Sequence, residues 1–449
     1  MAPSPSGATR QPAPLPAAQP EALPEALPTA PPEAQPGAPR LTPAELLADL
    51  SADLTRPGQL LLVQDLDGVC MELVRDPLQR HLDPAYLRSA RRLDGRFSVL
   101  TNGEHEGRRG VNRLVERALH PDLDPAASGH YLPGLAAGGV QLQCRHGRVR
   151  TPGVSEPELA FLAAVPQRLI NGLRPRLAGL LPDLSATALE EEVHAAVHDN
   201  PLSPTINLNR LFLRGDDPER RLAAALQQQA LELMEQLLGD AEREGLAGRF
   251  FLHIAPSVLD GAGREQPVWA GPTGLGSTDV QFMLQGAVKE AGLLVLINEH
   301  IGRHHGSHPL GADFNVRSAP GSIAALLALA RQRIPARLMP RLVGVADTIT
   351  SRPGPVPGQW QRGGSDRGFL TLLQELGRQF DRPNRVVLVD SSGGEVCRPS
   401  LADGSLRGLS DPADPLHLDA LFPGGPPQYR RFFSELAECL PVPTGDQPV

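Results

Sequence analysis

An apolar run that ends in two closely spaced aspartates constrains this chain more than any other feature. Residues 60–68 read LLLVQDLDG. A short apolar run bounded by turn-forming residues predicts a strand buried on both faces of a parallel sheet. Asp65 and Asp67 then emerge on one side of its carboxyl end, where ligands bind in open α/β sheets. Because two neighbouring carboxylates repel each other, the pattern predicts a cation beside them, and Gly68 allows a sharp turn there.

Other apolar runs are predicted to extend the same sheet. The run 97–100 ends in Thr101, Asn102 and Gly103, and the runs 341–346 and 385–389 end in Asp347 and Asp390. Further strands are predicted at 135–142 and 293–298, and helices at 84–93 and 322–333. Strands separated by helical patterns imply right-handed crossovers and a parallel sheet. The sequence therefore predicts an α/β fold with a Rossmann-like core.

The middle of the chain has a different pattern, which predicts an inserted α+β domain. A Gln- and Glu-rich helix is predicted at Pro218–Glu244, between strands at Thr205–Leu213 and Arg249–Ile254. The predicted division is a tail and lead-in over 1–57, a first core part over 58–145, an inserted cap over 146–285, a second core part over 286–440 and a C-terminal tail over 441–449.

Composition excludes several classes of protein. A net charge of −8 leaves no basic footprint for nucleic acid. The four cysteines have no paired spacing, which argues against a disulfide framework and fits a reducing cytoplasm. No apolar run approaches the roughly 20 residues that span a membrane. The first 40 residues are rich in Pro and Ala and lack a signal-peptide pattern, so we expect a disordered tail.

The polar strand ends supply the groups that phosphoryl transfer to a carboxylate requires. Such chemistry needs a nucleophile, a second acid, a hydroxyl donor, a basic side chain and a divalent cation. We predict Asp65 as nucleophile, Asp67 as general acid and base, and Thr101 as the hydroxyl donor. Lys289, the only lysine, would supply the positive charge, with Arg317 as the alternative. Asp347 and Asp366 would complete a magnesium site with the first two carboxylates.

The order of these groups resembles the haloacid dehalogenase superfamily of phosphatases. The motif Asp65-Leu66-Asp67-Gly68 and the strand-end Thr101 match its pattern, and Asn102 and Gly103 are expected to contact substrate. The stretch between Asp65 and Thr101 is too short for a cap, so the insertion after Thr101 resembles the second cap type, found in sugar phosphatases. The sequence departs from the pattern where TITSRPGPVPGQWQRGGS separates Asp347 from Asp366.

Two longer stretches narrow the resemblance. Residues 64–80, QDLDGVCMELVRDPLQR, and residues 271–300 are similar to the glucosylglycerol-phosphate phosphatases of salt-adapting cyanobacteria. The resemblance implies a cytoplasmic, magnesium-dependent enzyme that releases phosphate from glucosylglycerol 3-phosphate, a step in osmolyte synthesis under salt stress. It also makes the upstream glucosyl transferase a candidate partner. Trehalose- or sucrose-phosphate phosphatase activity remains the nearest alternative.

Other motifs leave alternatives open. Cys144–Pro152 comes close to the RHGxRxP signature of histidine acid phosphatases, in which His146 would be the nucleophile and His198-Asp199 could supply the acid. A cluster of histidines could bind zinc, although a polar Gly-rich loop is the favoured interpretation: His300, His304, His305 and His308. A further polar cluster either lines a sugar site or forms a solvated face, and we favour the solvated face: Glu190–Glu192, His194 and His198. A sugar-phosphate-binding scaffold without turnover would not need both Asp65 and Asp67.

Overall fold

The computed structural model describes residues 40–214, 219–261, 263–272 and 274–440. Nearly all of the predicted N-terminal tail, the C-terminal tail and Pro218 of the predicted helix lie outside these residues. In chain order the strands are β1 (Leu60–Gln64), β2 (Phe97–Leu100), β3 (Gly134–Ala136), β4 (Gln141–Gln143), β5 (Val149–Arg150), β6 (Val197–His198), β7 (Thr205–Asn207), β8 (Phe250–Ala255), β9 (Ser257–Leu259), β10 (Glu265–Pro267), β11 (Asp279–Leu284), β12 (Arg341–Ala346), β13 (Thr350–Pro353), β14 (Trp360–Gly363), β15 (Arg385–Val389) and β16 (Ala420–Phe422).

Helices connect several of the strands that pair in parallel, and others lie in the middle of the chain and near its two ends. In chain order they are α1 (Pro43–Leu54), α2 (Pro84–Arg92), α3 (Val111–Leu119), α4 (Pro125–Ser128), α5 (Glu156–Leu180), α6 (Ala186–Ala196), α7 (Arg221–Arg243), α8 (Lys289–His305), α9 (Ile323–Arg333), α10 (Arg367–Phe380) and α11 (Gly425–Glu438). No helix among the described residues is long and apolar enough to cross a bilayer.

The core sheet has eight strands in the order β16-β15-β12-β1-β2-β3-β4-β5. All neighbours from β16 to β3 are parallel, and β4 and β5 add antiparallel strands at one edge. Every residue of β1 is buried because alternate side chains enter two different cores. Leu61 and Val63 pack on the face covered by α8, α9 and α10, whereas Leu60 and Leu62 pack on the face covered by α1, α2, α3 and α11. The predicted parallel α/β core is confirmed.

A second layer of structure follows β5. Strands β6, β7, β11 and β8 form an antiparallel sheet in that order, which we call the cap sheet. Helices α5 and α7 pack on its apolar face, where Phe161 stacks on Phe250 and Phe282 with ring centroids 5.3 and 5.8 Å away. Since β5 still pairs with the core sheet, we propose that the inserted cap runs from α5 to the end of β11, within the predicted 146–285.

Three predicted strands are wrong in part or in whole. The run 293–298 lies in α8, because a continuous apolar run fits a buried helix as well as a buried strand, and this helix is buried on nearly every side. The predicted strand 135–142 is interrupted by a turn in which Ala137, Gly138 and Gly139 have positive φ, so β3 and β4 form an antiparallel pair. The predicted strand Thr205–Leu213 ends at Asn207 and continues as a 3₁₀ turn at Leu211–Arg214.

One helix has no counterpart in the sequence prediction, which assigned residues 1–57 to a tail and lead-in. The helix α1 begins with Thr42 as its N-cap, and the side chain of Glu45 binds back to the Thr42 backbone. This capping box, a threonine three residues before a glutamate, was the available signal. Leu46, Leu50 and Leu54 of α1 are fully buried in the core.

Candidate active site

Three buried carboxylates meet at the carboxyl edge of the core sheet. Asp65 directly follows β1, Asp347 directly follows the neighbouring strand β12, and Asp366 directly precedes α10. Oxygen atoms of all three lie within 4.8 Å of one another. No other group of acidic, histidine or cysteine side chains in the described ranges could hold a metal ion in this way.

The long segment between Asp347 and Asp366 does not separate them in space. Strands β13 and β14 pair as an antiparallel hairpin, which returns the chain to its starting point. At the base of this hairpin the Asp366 amide donates to the Thr348 carbonyl at 3.1 Å, and the Thr348 amide donates to Asp366 Oδ2 at 3.0 Å. The insertion therefore changes the spacing of the two aspartates in sequence but leaves both in the cluster.

Lys289 lies at the start of α8 and donates to two of the three carboxylates. Its Nζ is 2.5 Å from Asp65 Oδ2 and 2.6 Å from Asp366 Oδ1. Burial lowers the pKa of this ammonium, but Asp366 and Asp65 more than offset that effect, so its pKa is raised above the usual value. Lys289 is therefore a fixed cation at the sheet edge.

The cluster has the properties of a divalent-cation site. When all three carboxylates are ionised, the one ammonium leaves two negative charges uncompensated, and Asp347 Oδ2 is buried without a hydrogen-bond partner in the part of the chain that the structure describes. Burial, together with Asp366 and Asp65, raises the pKa of Asp347 to about 8. A Cβ on Gly68 would lie 2.2 Å from Asp347 Oδ2, so glycine is required for the backbone to pass this close. Hard oxygen ligands of this kind fit Mg²⁺.

Asp67 and Thr101 approach each other beside Gly103, with Arg80 as a third neighbour. A Cβ on Gly103 would lie 3.6 Å from Thr101 Oγ1, 3.7 Å from Arg80 Nη1 and 3.9 Å from Asp67 Oδ2. Thr101 is buried, and its Oγ1 accepts from the Gly103 amide at 3.2 Å, which leaves its own O–H free to donate. Asp67 lies apart from the three-carboxylate cluster and pairs with Arg80 at 2.9 Å.

The remaining predicted residues differ in their position. Asn102 Nδ2 lies 2.9 Å from His253 Nε2, a side chain of β8 in the cap sheet. Arg317 donates to the Gln285 carbonyl and pairs with Glu158, and it is not among the residues that line the pocket above Asp65. Of the two candidate cations, only Lys289 contacts the carboxylates.

The cap sheet supplies the other wall of this pocket, which the sequence analysis did not resolve. Thr205 and Asn207 of β7 and Asp279 and Gln281 of β11 line it, while the intervening apolar side chains face α5 and α7. Asn207 Nδ2 donates to Asp279 Oδ1 at 2.7 Å, and burial raises the pKa of Asp279. The signal was the polar–apolar alternation of Thr205-Ile206-Asn207 and Asp279-Val280-Gln281.

The preferred interpretation of residues 190–198 as a solvated face is wrong for two of its members. Glu192 is fully buried and pairs with Arg210 and Arg214. His198 is buried in the pocket wall, where burial and the nearby Arg109 and Arg80 lower its pKa to about 3. A neutral imidazole therefore faces the pocket at neutral pH.

The two competing histidine motifs have structural explanations. His146 lies in the β4–β5 turn, where its Nδ1 is 2.7 Å from the Ala126 carbonyl, away from the pocket. Of the predicted Gly-rich loop, His300, His304 and His305 lie instead in the last two turns of α8, and His308 lies just beyond the helix. His300 Nε2 lies 3.1 Å from the Gly58 carbonyl and His304 Nε2 lies 2.8 Å from the Gly95 carbonyl, so these rings tie α8 to the core.

Comparison with known proteins gives matches over most of the chain. A family model described as glucosylglycerol-phosphate phosphatase matches residues 59–437. The glucosylglycerol-phosphate phosphatase of Synechocystis sp. is 44% identical over 398 residues, which cover 86% of this chain and 94% of that protein.

Solved structures show much lower similarity. The trehalose-6-phosphate phosphatase of Aspergillus fumigatus is 9% identical with a TM-score of 0.37, over 87% of this chain and 97% of that one. A trehalose-6-phosphate phosphatase related protein is 10% identical with a TM-score of 0.38, over 84% of this chain and 97% of that one. Similarity at this level supports no conclusion about substrate.

Proposed function

The chain belongs to the family of glucosylglycerol-phosphate phosphatases, and from this premise we propose that it hydrolyses glucosylglycerol 3-phosphate through an aspartyl-phosphate intermediate. The observation that carries the mechanism is the placement of Asp65 in a buried cluster with Lys289, Asp347 and Asp366, beside a pocket that Asp67 and Thr101 also line. Hydrolysis of a phosphoric monoester through an aspartyl-phosphate intermediate uses each of these groups.

In the first step a carboxylate oxygen of Asp65 bonds to phosphorus as the bond from phosphorus to the glycerol oxygen breaks. Protonated Asp67 gives its proton to the departing oxygen, which leaves as the free alcohol. In the second step Asp67, now a carboxylate, takes a proton from water as the water oxygen bonds to phosphorus. The bond between Asp65 and phosphorus breaks, inorganic phosphate is released, and both aspartates return to their starting states.

The other polar groups bind and orient the phosphoryl group. The free O–H of Thr101 would donate to a phosphoryl oxygen, and Lys289 would offset its charge while holding Asp65 in line. We propose that Asp65, Asp347 and Asp366 hold Mg²⁺, which screens the nucleophile from the anionic phosphate and polarises a phosphoryl oxygen when bound.

The cap wall is suited to an uncharged polyol. His198, Thr205, Asn207 and Gln281 are neutral groups that can exchange hydrogen bonds with sugar hydroxyls, and Gln281 Oε1 is buried without a partner in the described ranges. A buried acceptor without a partner is unfavourable. A substrate whose hydroxyl donates to Gln281 Oε1 is therefore favoured over a substrate that lacks this hydroxyl. We propose that this wall binds the glucosyl group.

The same proposal extends to the biological setting. We propose that the enzyme acts in the cytoplasm in osmolyte synthesis under salt stress, after the glucosyl transferase that makes its substrate. Trehalose and sucrose phosphates remain the alternative substrates, because they offer similar hydroxyls to the cap wall.

A phosphate-release panel with glucosylglycerol, trehalose and sucrose phosphates tests the substrate. We expect glucosylglycerol 3-phosphate to have the highest kcat/KM, loss of activity with EDTA, and recovery with Mg²⁺. A preference for either disaccharide phosphate would reject the substrate, and full activity after chelation would reject the metal site.

The nucleophile is tested by Asp65→Asn, which keeps the side-chain shape but removes the attacking charge. We expect no acid-stable phosphoenzyme after rapid quench with a labelled substrate. The matched control is Asp390→Asn at the end of the core strand β15, because Asp390 binds Ser400 and the Leu401 amide rather than the cluster. Turnover by Asp65→Asn near the parent rate would refute the mechanism.

A further inference from the structure

Arg80 is a buried arginine in the active-site pocket to which the proposed mechanism gives no role. It lies in the segment after β1 and is 7% exposed. Each of its three guanidinium nitrogens already has a protein acceptor. Its Nη1 donates to Asp67 Oδ2 at 2.9 Å, its Nε donates to the Pro77 carbonyl at 3.0 Å, and its Nη2 donates to the Arg109 carbonyl.

The backbone around Arg80 is held as firmly as its side chain. Arg117 of α3 donates to the Arg80 carbonyl at 2.7 Å and to the Leu78 carbonyl at 3.2 Å. The arginine therefore connects three segments: its own, the Asp67 turn and the loop after β2 that also carries Thr101. A guanidinium with this many fixed acceptors has little freedom to change its direction.

On the basis of the proposed function, we infer that Arg80 is a positioning residue that fixes Asp67 and determines which of its oxygens exchanges the proton. Asp67 Oδ2 accepts from the guanidinium, so a proton on that oxygen would break the pair. The exchanged proton is therefore carried by Oδ1. Oδ1 gives this proton to the leaving alkoxide in the first step and takes one from water in the second. The side chain of Asp67 is 30% exposed on the pocket side, which leaves room for both transfers.

The pairing also explains why Asp67 stays out of the carboxylate cluster. Asp65 and Asp67 are only two residues apart, and without a cation of its own Asp67 would be drawn toward Lys289, which lies within 2.5 Å of Asp65. Arg80 supplies that cation. The two aspartates thus keep separate partners, and only Asp65 is left beside the metal site.

A double-mutant cycle tests this inference on the whole enzyme. Because Arg80 acts through Asp67, Arg80→Ala should lower kcat by about 10- to 100-fold, within the roughly 100- to 10,000-fold that a positioned acid or base contributes. KM should change by less than about 3-fold, and in the Asp67→Asn background the same replacement should cost less than about 3-fold. Single-turnover rapid quench extends the measurement to the slow variants, and both formation and hydrolysis of the phosphoenzyme should slow.

The matched control is Arg117→Ala, which loosens the same backbone without contacting Asp67. It should lower kcat by much less than Arg80→Ala does, because the guanidinium that binds Asp67 is kept, and thermal unfolding reports any loss of stability. If Arg80→Ala does not fold, Arg80→Lys keeps the charge but loses the contacts of Nε and Nη2, and the same cycle applies to it.

The outcomes separate this inference from the proposed function. Additive losses in the Arg80 and Asp67 variants, or a loss confined to KM, would show that Arg80 binds the phosphoryl group itself and would overturn the inference. An equal loss in Arg117→Ala would show a purely structural role and would also overturn it. Unchanged turnover by Asp65→Asn would instead refute the proposed function.

Discussion

We propose that position 289 requires a lysine, because its side chain lies between two buried carboxylates. Its ammonium fits between Asp65 and Asp366, and its side chain is 1% exposed. A lysine head is a compact point charge, whereas arginine carries a planar group with donors in a fixed fork. The chain otherwise uses arginine or histidine for its basic side chains, and its only lysine stands where a compact cation fits between two carboxylates.

We therefore predict that Lys289→Arg lowers kcat strongly although it preserves the charge. The loss should be about 100-fold or more, similar to the removal of a single donor to a reacting oxyanion. The matched control is Arg303→Lys on the same helix, since Arg303 is half-exposed and pairs with Asp94 away from the pocket. Steady-state kinetics at saturating Mg²⁺ provides the measurement, and parent-like turnover by Lys289→Arg would contradict this role.

At the scale of elements, the loop from β2 to α3 ties the active site to the cap. Asn102 contacts His253 of β8, and Arg109 pairs with Asp199 just after β6. Glu104 accepts from the Leu202 amide at 2.8 Å and from the Ser203 amide at 2.7 Å. Since Thr101 begins this loop, these contacts also link the cap to the hydroxyl that we propose binds the phosphoryl group.

The buried Glu104 predicts a pH dependence of stability. Burial raises its pKa from 4.5 to about 7, and the hydrogen bonds from Leu202 and Ser203 only partly oppose the shift. Because the folded-state pKa is the higher one, the stabilising contribution is complete below about pH 4.5 and is lost as the pH rises toward 7. The free energy of unfolding relative to Glu104→Gln should fall over that window by up to about 1.4 kcal/mol per pH unit.

Urea unfolding of both proteins across this window provides the measurement. The matched control is Glu106→Gln, which removes a solvent-exposed carboxylate from the same loop. If the difference between parent and Glu104→Gln were the same at every pH, the assigned environment of Glu104 would be wrong.

For the whole molecule, the region matched by the family model is smaller than the folded core. The match begins at residue 59, but α1 lies before it and packs on β16 and α11 near the other end of the chain. Leu41 extends the pairing of β16, with its amide donating to the Asp419 carbonyl at 2.7 Å. Asp49 and Asp53 also pair with Arg341, the first residue of β12.

We predict that a chain starting at residue 58 is much less stable than one starting at Leu41. The shorter chain lacks α1, whose three fully buried leucines cover part of the core surface. Burial of each leucine contributes about 1.5–3 kcal/mol to the free energy of unfolding. Loss of α1 also leaves Arg341 without its two carboxylates, and that side chain is only 7% exposed. Thermal unfolding of the two truncated proteins measures the difference, and equal midpoints would show that α1 contributes nothing to the core.

The sequence by itself determined the parallel core and the order of its chemical groups. The strands β1, β2, β12 and β15 are four to six residues long, are mostly apolar and lead directly into polar side chains, and this local pattern needs no partner to be recognised. It did not distinguish the buried helix α8 from a strand, because an apolar run carries no periodicity when every face is covered. The capping box of α1 was a local signal that the prediction did not use.

Only the tertiary structure decided which of these groups meet. Asp366 joins Asp347 because a hairpin closes the segment between them, and Lys289 rather than Arg317 reaches Asp65 because α8 begins at the sheet edge. The pairing of Asp67 with Arg80 and the polar wall of the cap likewise depend on segments far apart along the chain or on different elements. Residue types and spacing limit what a site can do, but distances between side chains depend on how the elements pack.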